Sequence, residues 1–323
     1  MSSLIFYDLL AQQKPLILDG ALATELEARG LDLKDPSWSA KALFGETSSL
    51  IRDVHLDYFS SGADVAITTS YQASTRGLQE HLGLSQDESI ELIKKSVRLA
   101  QEARDIYLAE EGCANEPSPK RQSLFIAGSI GPYGAYLANG SEYTGAYSLS
   151  RTDFLDFHRP RMQALLDAGV DLLALETQPS FPEILALVDL LAEFPDARAW
   201  VSMTLRDAET LSDGSAIATV LERLNKSSQV LAVGVNCVPE DMVTVALKHM
   251  RGLTGKPLVC YPNSGEVYDA VSKTWGGTRA EGERLAERIR EWRQAGAMII
   301  GGCCRTGPKD IRTIVKACRG SLL

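Results

Sequence analysis

Eight short apolar runs, each followed by a stretch with helical spacing, constrain the fold of this chain more than any other feature. They are PLILDG (15–20), DVAITT (64–69), SLFIAGS (123–129), DLLALET (171–177), AWVSMTL (199–205), VLAVGVNC (230–237), PLVCYP (257–262) and AMIIGG (297–302). A strand that is apolar on both faces belongs to a parallel sheet, because parallel neighbours need a crossover and the crossover helices cover both faces. Segments between the runs, such as SQDESIELIKKSVRLAQEARDIYL (85–108), FPEILALVDLLAEF (181–194) and AEGERLAERIREWRQAG (280–296), carry the 3.6-residue apolar period of such helices. Eight units predict one α/β protein, a (β/α)8 TIM barrel occupying residues 1–323 as a single domain. Two doubly wound domains fit less well, since DGALATEL after the first run lacks a GxGxxG phosphate turn. The polar, proline-containing EEGCANEPSPKRQ (110–122) is expected to be a surface loop and not a linker, because the strand–helix rhythm continues across it.

Charge and composition exclude several classes of function. A net charge of -9 with no basic cluster disfavours nucleic acid and favours cationic ligands. No apolar run approaches the ~20 residues that span a bilayer, so a membrane partner is not expected. The opening MSSLIFYDLLAQQKP has neither a basic n-region nor a cleavage site, which predicts a cytoplasmic protein. Six cysteines without a secretion signal then point to metal, redox or nucleophile roles and away from a disulfide framework.

The barrel reading makes a sharp statement about the site, because this fold places its chemistry at the C-terminal ends of the strands. Those ends carry Asp19, Thr68, Thr69, Ser129, Glu176, Cys237, Asn263 and the adjacent pair Cys303 and Cys304. Three cysteines from strands six and eight suit Zn2+ with one coordination position left open for a substrate. Neighbouring side chains on a regular strand point to opposite faces, so both members of the pair reach one ion only if the strand breaks. Gly301 and Gly302 are expected to break it through their dihedral freedom and close approach; a vicinal Cys303–Cys304 disulfide is the alternative. Cys113, Cys260 and Cys318 are read as packing residues, with Cys260 near the same rim, and His55, His81, His158 and His249 as ordinary surface or packing residues of helical segments. Asp19 and Glu176 end apolar strands abruptly; they are either ligand-facing acids or loop-ordering ones. GPYGAYLANGSEYTGAY (131–147) is expected to form a lid with Tyr133, Tyr136, Tyr143 and Tyr147.

DGALATEL at the first strand, GVNC at the sixth and GGCCRT at the eighth resemble, in that order and spacing, the homocysteine S-methyltransferase family. GPYGAYLANGSEYTGAY, ALETQPS and YPNSGEVYDAVSKTW are similar to the branch that uses S-methylmethionine as methyl donor. The resemblance implies zinc on Cys237, Cys303 and Cys304, with the homocysteine sulfur in the fourth place. It implies Asp19 and Glu176 at the homocysteine amino group, Gly20, Thr68 and Thr69 near its carboxylate, and Asn236, Tyr133 and Tyr136 among the substrate-binding residues. The implied partners are the small molecules homocysteine and S-methylmethionine, with S-adenosylmethionine as a second donor and a monomer or small homo-oligomer as the state. A selenohomocysteine or selenocysteine acceptor is a related alternative. The lid tyrosines and Trp275 are candidates to face a sulfonium by cation–π attraction. Two other classes stand beside this reading. A Schiff-base aldolase needs a lysine at a strand end, and none is there. A non-enzymatic zinc or redox sensor would use the cysteines without needing Asp19 and Glu176.

Overall fold

The sheet closes on itself. In a computed structural model describing residues 2–12, 14–31, 42–44, 47–112, 123–269 and 274–320, the parallel strands are β1 (Leu16–Ile17), β2 (Val65–Ile67), β3 (Phe125–Ile130), β4 (Leu172–Gln178), β5 (Ala199–Met203), β6 (Val230–Asn236), β7 (Leu258–Tyr261) and β8 (Ala297–Ile300). They are hydrogen-bonded in the order β1-β8-β7-β6-β5-β4-β3-β2, and a parallel bridge from Leu18 to Val65 joins the last strand to the first. This is the expected barrel. Several strands are shorter than their apolar runs: 19–20, 68–69 and 301–302 fall outside the strands and lead into the loops of the mouth, although the Asp19, Thr68 and Gly301 N–H groups still donate to neighbouring strands.

The pleat sorts each run into two cores. Leu16, Leu18, Val65, Phe125, Ala127, Leu172, Ala174, Trp200, Val259, Tyr261 and Ile299 fill the barrel, while Ile17, Ala66, Ile126, Leu173, Leu175, Val201, Cys260 and Ile300 face the surrounding helices. That alternation explains why the runs are apolar throughout. Helix α1 (Ser2–Ala11) plugs the N-terminal end, with the Phe6 ring 5.2 Å from Phe125 and stacked 6.5 Å from Trp200. Burying each such side chain stabilises the fold by roughly 1.5–3 kcal/mol, so the floor is apolar and closed. The same alternation carries Ser129, Glu176, Ser202 and Tyr261 inward at the opposite end, where polar groups gather.

The outer ring is α2 (Leu22–Ala28), α3 (Ser48–Ser61), α4 (Thr75–Leu82), α5 (Gln86–Gly112), α6 (Tyr133–Leu137), α7 (Arg151–Asp167), α8 (Phe181–Leu191), α9 (Ile217–Asn225), α10 (Glu240–Arg251), α11 (Gly282–Gln294) and α12 (Pro308–Arg319). Local signals set the starts of two that matter for the site. Ser150 and Asp153 form a reciprocal capping box at α7, and at α12 the Gly307 N–H donates to Asp310 behind Pro308. Residues 110–112 of the expected surface loop belong to α5, and 113–122, including Cys113, lie outside the described residues. Cys260 is fully buried against the helices, and Cys318 packs at the edge of the same core.

Candidate metal and substrate site

Cys237 follows β6 and the Cys303–Cys304 pair follows β8, with only β7 between them, so the strand order itself brings three thiols to one side of the mouth. Their sulfurs lie within 4.8 Å of one another, and no other trio of His, Cys, Asp or Glu among the described residues could hold a metal. Cys237 and Cys303 form a disulfide across 5.6 Å of Cα separation, and Cys304 is free. The alternative vicinal disulfide is therefore not the one that forms. Once reduced, the donor set suits a soft tetrahedral ion with one position to spare. Burial pushes the Cys304 thiol up to about 11, with the Tyr143 hydroxyl pulling the other way, so at neutral pH it becomes a thiolate only when a cation joins it.

The glycine pair meets one half of the expectation and not the other. Neither Gly301 nor Gly302 has a positive φ, so dihedral freedom is not what they supply. A Cβ on Gly301 would lie 2.5 Å from that of Leu18, and one on Gly302 would lie 2.1 Å from Thr306 Oγ1. Close approach is the requirement. The left-handed backbone sits instead at Cys237 (φ 50°) and Arg305 (φ 67°), flanking the cluster from both strands.

The two acids face the same mouth. Asp19 is 4 % exposed, and its Oδ2 accepts the Ile67 N–H at 2.8 Å. Burial raises its pKa well above the ordinary carboxylate range, and the charge of Glu176 raises it further. Glu176, 7 % exposed, accepts from the Ser129 hydroxyl. Burial raises Glu176 to about 7 against the lowering pull of Ser129 and Tyr261. Among the described residues no lysine or arginine forms an ion pair with either acid; His55 stands 3.9 Å from Asp19, and the buried Arg161 guanidinium acts on Glu176 only at a distance, lowering its pKa. His55 is itself fully buried and pushed down to about 4, so at neutral pH it carries no charge to offer. Two buried carboxylates with no ion-pair partner carry a desolvation cost that a cation would relieve.

The remaining expected contacts divide. Thr69 Oγ1 is buried without a partner, whereas Thr68 Oγ1 is engaged by Ser70 at 2.7 Å and by the Ser129 N–H at 3.0 Å. Gly20 lies where a Cβ would meet Thr306 O at 2.7 Å and Tyr58 at 2.9 Å. Asn236 is fully buried and directs its amide to Thr177: Oδ1 accepts the Thr177 N–H and Nδ2 donates to Thr177 Oγ1, both at 2.7 Å. Thr177 has φ 58°, a left-handed backbone that is a genuine outlier for a β-branched residue and costs about 1–3 kcal/mol to hold.

The segment expected to form a lid is anchored. Tyr133 stacks edge-on to Phe157 at 4.9 Å, and its N–H donates to Glu183 Oε1 at 2.6 Å. Tyr147 donates its hydroxyl to the other oxygen of Glu183, and His158 Nε2 meets Oε1 at 2.7 Å. Buried Arg161 donates to His158 Nδ1 at 3.0 Å, to Gly131 O at 2.6 Å and to Tyr71 O at 2.7 Å, which leaves His158 neutral with its proton on Nε2. Tyr136 points outward, donating to Glu80 with the Arg76 guanidinium 5.6 Å over its ring. On the short 3-10 turn Ser141–Tyr143, Tyr143 reaches Cys304 and Glu142 buries an unpartnered Oε2 near it. The Trp275 side chain lies outside the described residues.

The reading of the sequence missed Glu183, His158, Arg161, Glu142 and Tyr261. A signal existed for two of them: His158 and Arg161 fall at helical spacing on the stripe of Phe154, Phe157 and Leu165, where a solvated charge has no place. Glu142 carried no local signal, since an acid in a Gly- and Tyr-rich loop is ordinarily solvated.

Comparison with known proteins gives the same direction. A family described as homocysteine S-methyltransferase matches residues 16–318. The homocysteine S-methyltransferase of Escherichia coli (strain K12) is 55 % identical over 306 residues, covering 95 % of this chain and 96 % of that one. The homocysteine S-methyltransferase YbgG of Bacillus subtilis (strain 168) is 47 % identical, covering 93 % of each chain. Crystal structures of the E. coli homocysteine methyltransferase MmuM superpose with TM-scores of 0.84 for a metallated form and 0.85 for an oxidised form, at 51 % and 52 % identity, each covering 95 % of this chain and 97 % of that one.

Proposed function

The chain belongs to the homocysteine S-methyltransferase family and is a methyltransferase; from that premise we propose that it moves the methyl group of a sulfonium donor, S-methylmethionine before S-adenosylmethionine, to the sulfur of L-homocysteine with zinc as cofactor. One observation carries this reading: a group of three thiols opens on the same mouth as two buried carboxylates with which, among the described residues, no lysine or arginine forms an ion pair. A substrate with a thiol at one end and an ammonium at the other satisfies both features at once.

Cys237, Cys303 and Cys304 would hold the zinc once the Cys237–Cys303 disulfide is reduced, a state suited to the cytosol. When bound, the ion supplies Lewis-acid chemistry that lowers the pKa of a coordinating thiol, so that homocysteine sulfur is nucleophilic at neutral pH. Asp19 and Glu176 accept from the ammonium, and Thr69, whose hydroxyl has no other partner, donates to the carboxylate. The homocysteine sulfur attacks the donor methyl carbon, the old carbon–sulfur bond breaks, and the donor sulfur leaves as a thioether with the electron pair. Both products are then methionine when S-methylmethionine is the donor, and the thiol proton is released to solvent. The acids at the mouth and the net charge of -9 favour a cationic donor over a neutral one.

The test uses reduced, metal-stripped protein with S-methylmethionine, S-adenosylmethionine and betaine as donors. Methionine formation that requires added zinc and is fastest with S-methylmethionine is expected. Full activity without metal would overturn the cofactor, and faster turnover with betaine the donor.

A further inference from the structure

Two left-handed residues of the mouth, Thr177 and Cys237, are not glycine, and they come from strands that are not neighbours: β5 lies between β4 and β6. The β4–β5 ladder shifts register between Leu175 and Gln178, so Thr177 leaves the β5 ladder. Its N–H and hydroxyl instead meet the side-chain amide of Asn236, the residue immediately before Cys237. The residue immediately before Thr177 is Glu176. One amide therefore bridges the segment bearing a metal-ligand candidate and the segment bearing a substrate acid. On its far side the Cys237 N–H donates to Tyr261 O at 3.1 Å and its carbonyl accepts from Asn263 Nδ2 at 3.3 Å, and once the disulfide to Cys303 is reduced these two bonds are what holds it there.

We propose that Asn236 and Thr177 are positioning residues: their clamp holds Cys237 and Glu176 at a fixed offset, so that one buried contact sets both metal affinity and homocysteine affinity. The inference rests on the zinc and homocysteine reading given above. The physical reason is that a left-handed backbone at non-glycine residues persists only when its surroundings over-determine it. Without the Asn236 amide, Thr177 relaxes toward extended backbone and turns the Glu176 carboxylate, while Cys237, freed on the β5 side, swings its sulfur off the other two. Asn236 is completely buried, so it acts through these neighbours.

The experiment compares Asn236→Ala, Thr177→Val and Thr177→Ser in reduced full-length protein. Zinc affinity is measured by competition with a chromogenic chelator, homocysteine affinity by titration of zinc-loaded protein without donor, and folding by circular dichroism melts. Asn236→Ala and Thr177→Val should weaken zinc about 10- to 100-fold, the usual effect of losing a support behind a ligand, and homocysteine about 10-fold, in proteins that still melt cooperatively. Thr177→Ser, which keeps the hydroxyl, should restore both, a rescue that loss of packing alone would not produce. Wild-type affinities in folded Asn236→Ala, or equal losses in Thr177→Ser and Thr177→Val, overturn the clamp. If Asn236→Ala does not fold, the Thr177 pair decides by the same two outcomes. Wild-type protein that binds neither zinc nor homocysteine overturns the functional reading instead, which separates the two failures.

Discussion

Glu183 and Glu176 are both buried glutamates above the barrel, yet they behave oppositely. Glu183 receives Tyr133 N–H, the Tyr147 hydroxyl and His158, and His158 is backed by Arg161, so its charge is answered within the protein. Glu176 has hydroxyl donors and no ion-pair partner, and burial moves it to about 7. The first environment fastens the Tyr-rich segment 131–147; the second leaves a buried acid without an ion-pair partner, as the proposed ammonium site requires. A buried charge that the chain itself completes is architecture, and one that it leaves incomplete marks where a ligand finishes the network.

Breaking the completed side should give the largest effect. Arg161→Met leaves Glu183 without its buried counter-charge and should destabilise the fold by about 3–5 kcal/mol in denaturant titrations. Adding Glu183→Gln should return part of that loss, and no recovery in the double variant would show that Arg161 acts by packing alone.

The incomplete side has its own pH signature. The folded pKa of Glu176 is raised, from an ordinary 4.5 to about 7, so its contribution to stability is fully present below about pH 4.5 and is lost as pH rises through about 7. The interval corresponds to about 3 kcal/mol. Chemical denaturation of ligand-free wild type and Glu176→Gln across that window should therefore diverge, with the variant flatter; parallel curves would mean the acid is not desolvated.

Ligand binding should run the other way. Homocysteine meets an ionised acid only above about pH 7, so its affinity should climb through the window in which the empty protein weakens. At pH 8, Glu176→Gln should bind homocysteine about 1.5–3 kcal/mol more weakly, the range for a hydrogen bond to a charged group, with zinc content unchanged. Unaltered affinity by calorimetry would return Glu176 to a structural role.

The smallest effect should come from Tyr136, which faces outward toward Glu80 and Arg76. Tyr136→Phe should shift stability by less than about 0.5 kcal/mol and leave the donor KM unchanged. A large change in that KM would bring Tyr136 into the donor site.

What the sequence determined by itself is what local pattern and order along the chain can carry. Eight apolar runs alternating with helical periods specify a barrel, because each run must be buried on both faces, and a barrel sends Asp19, Glu176 and the three cysteines to one rim. The fate of each polar group was decided only in three dimensions. The Cys237–Cys303 pairing, the clamp of Asn236 on Thr177 and the answering of Glu183 by His158 and Arg161 join residues 66, 59, and 25 and 22 positions apart. Gly301 and Gly302 show the same division: the sequence offered both dihedral freedom and close approach as reasons for the pair, and only the packed loops could say that room beside Leu18 and Thr306 was the one needed. Hydrogen-bond completion and steric clearance depend on atoms that meet only after the strands have closed, whereas burial periodicity is written into consecutive residues.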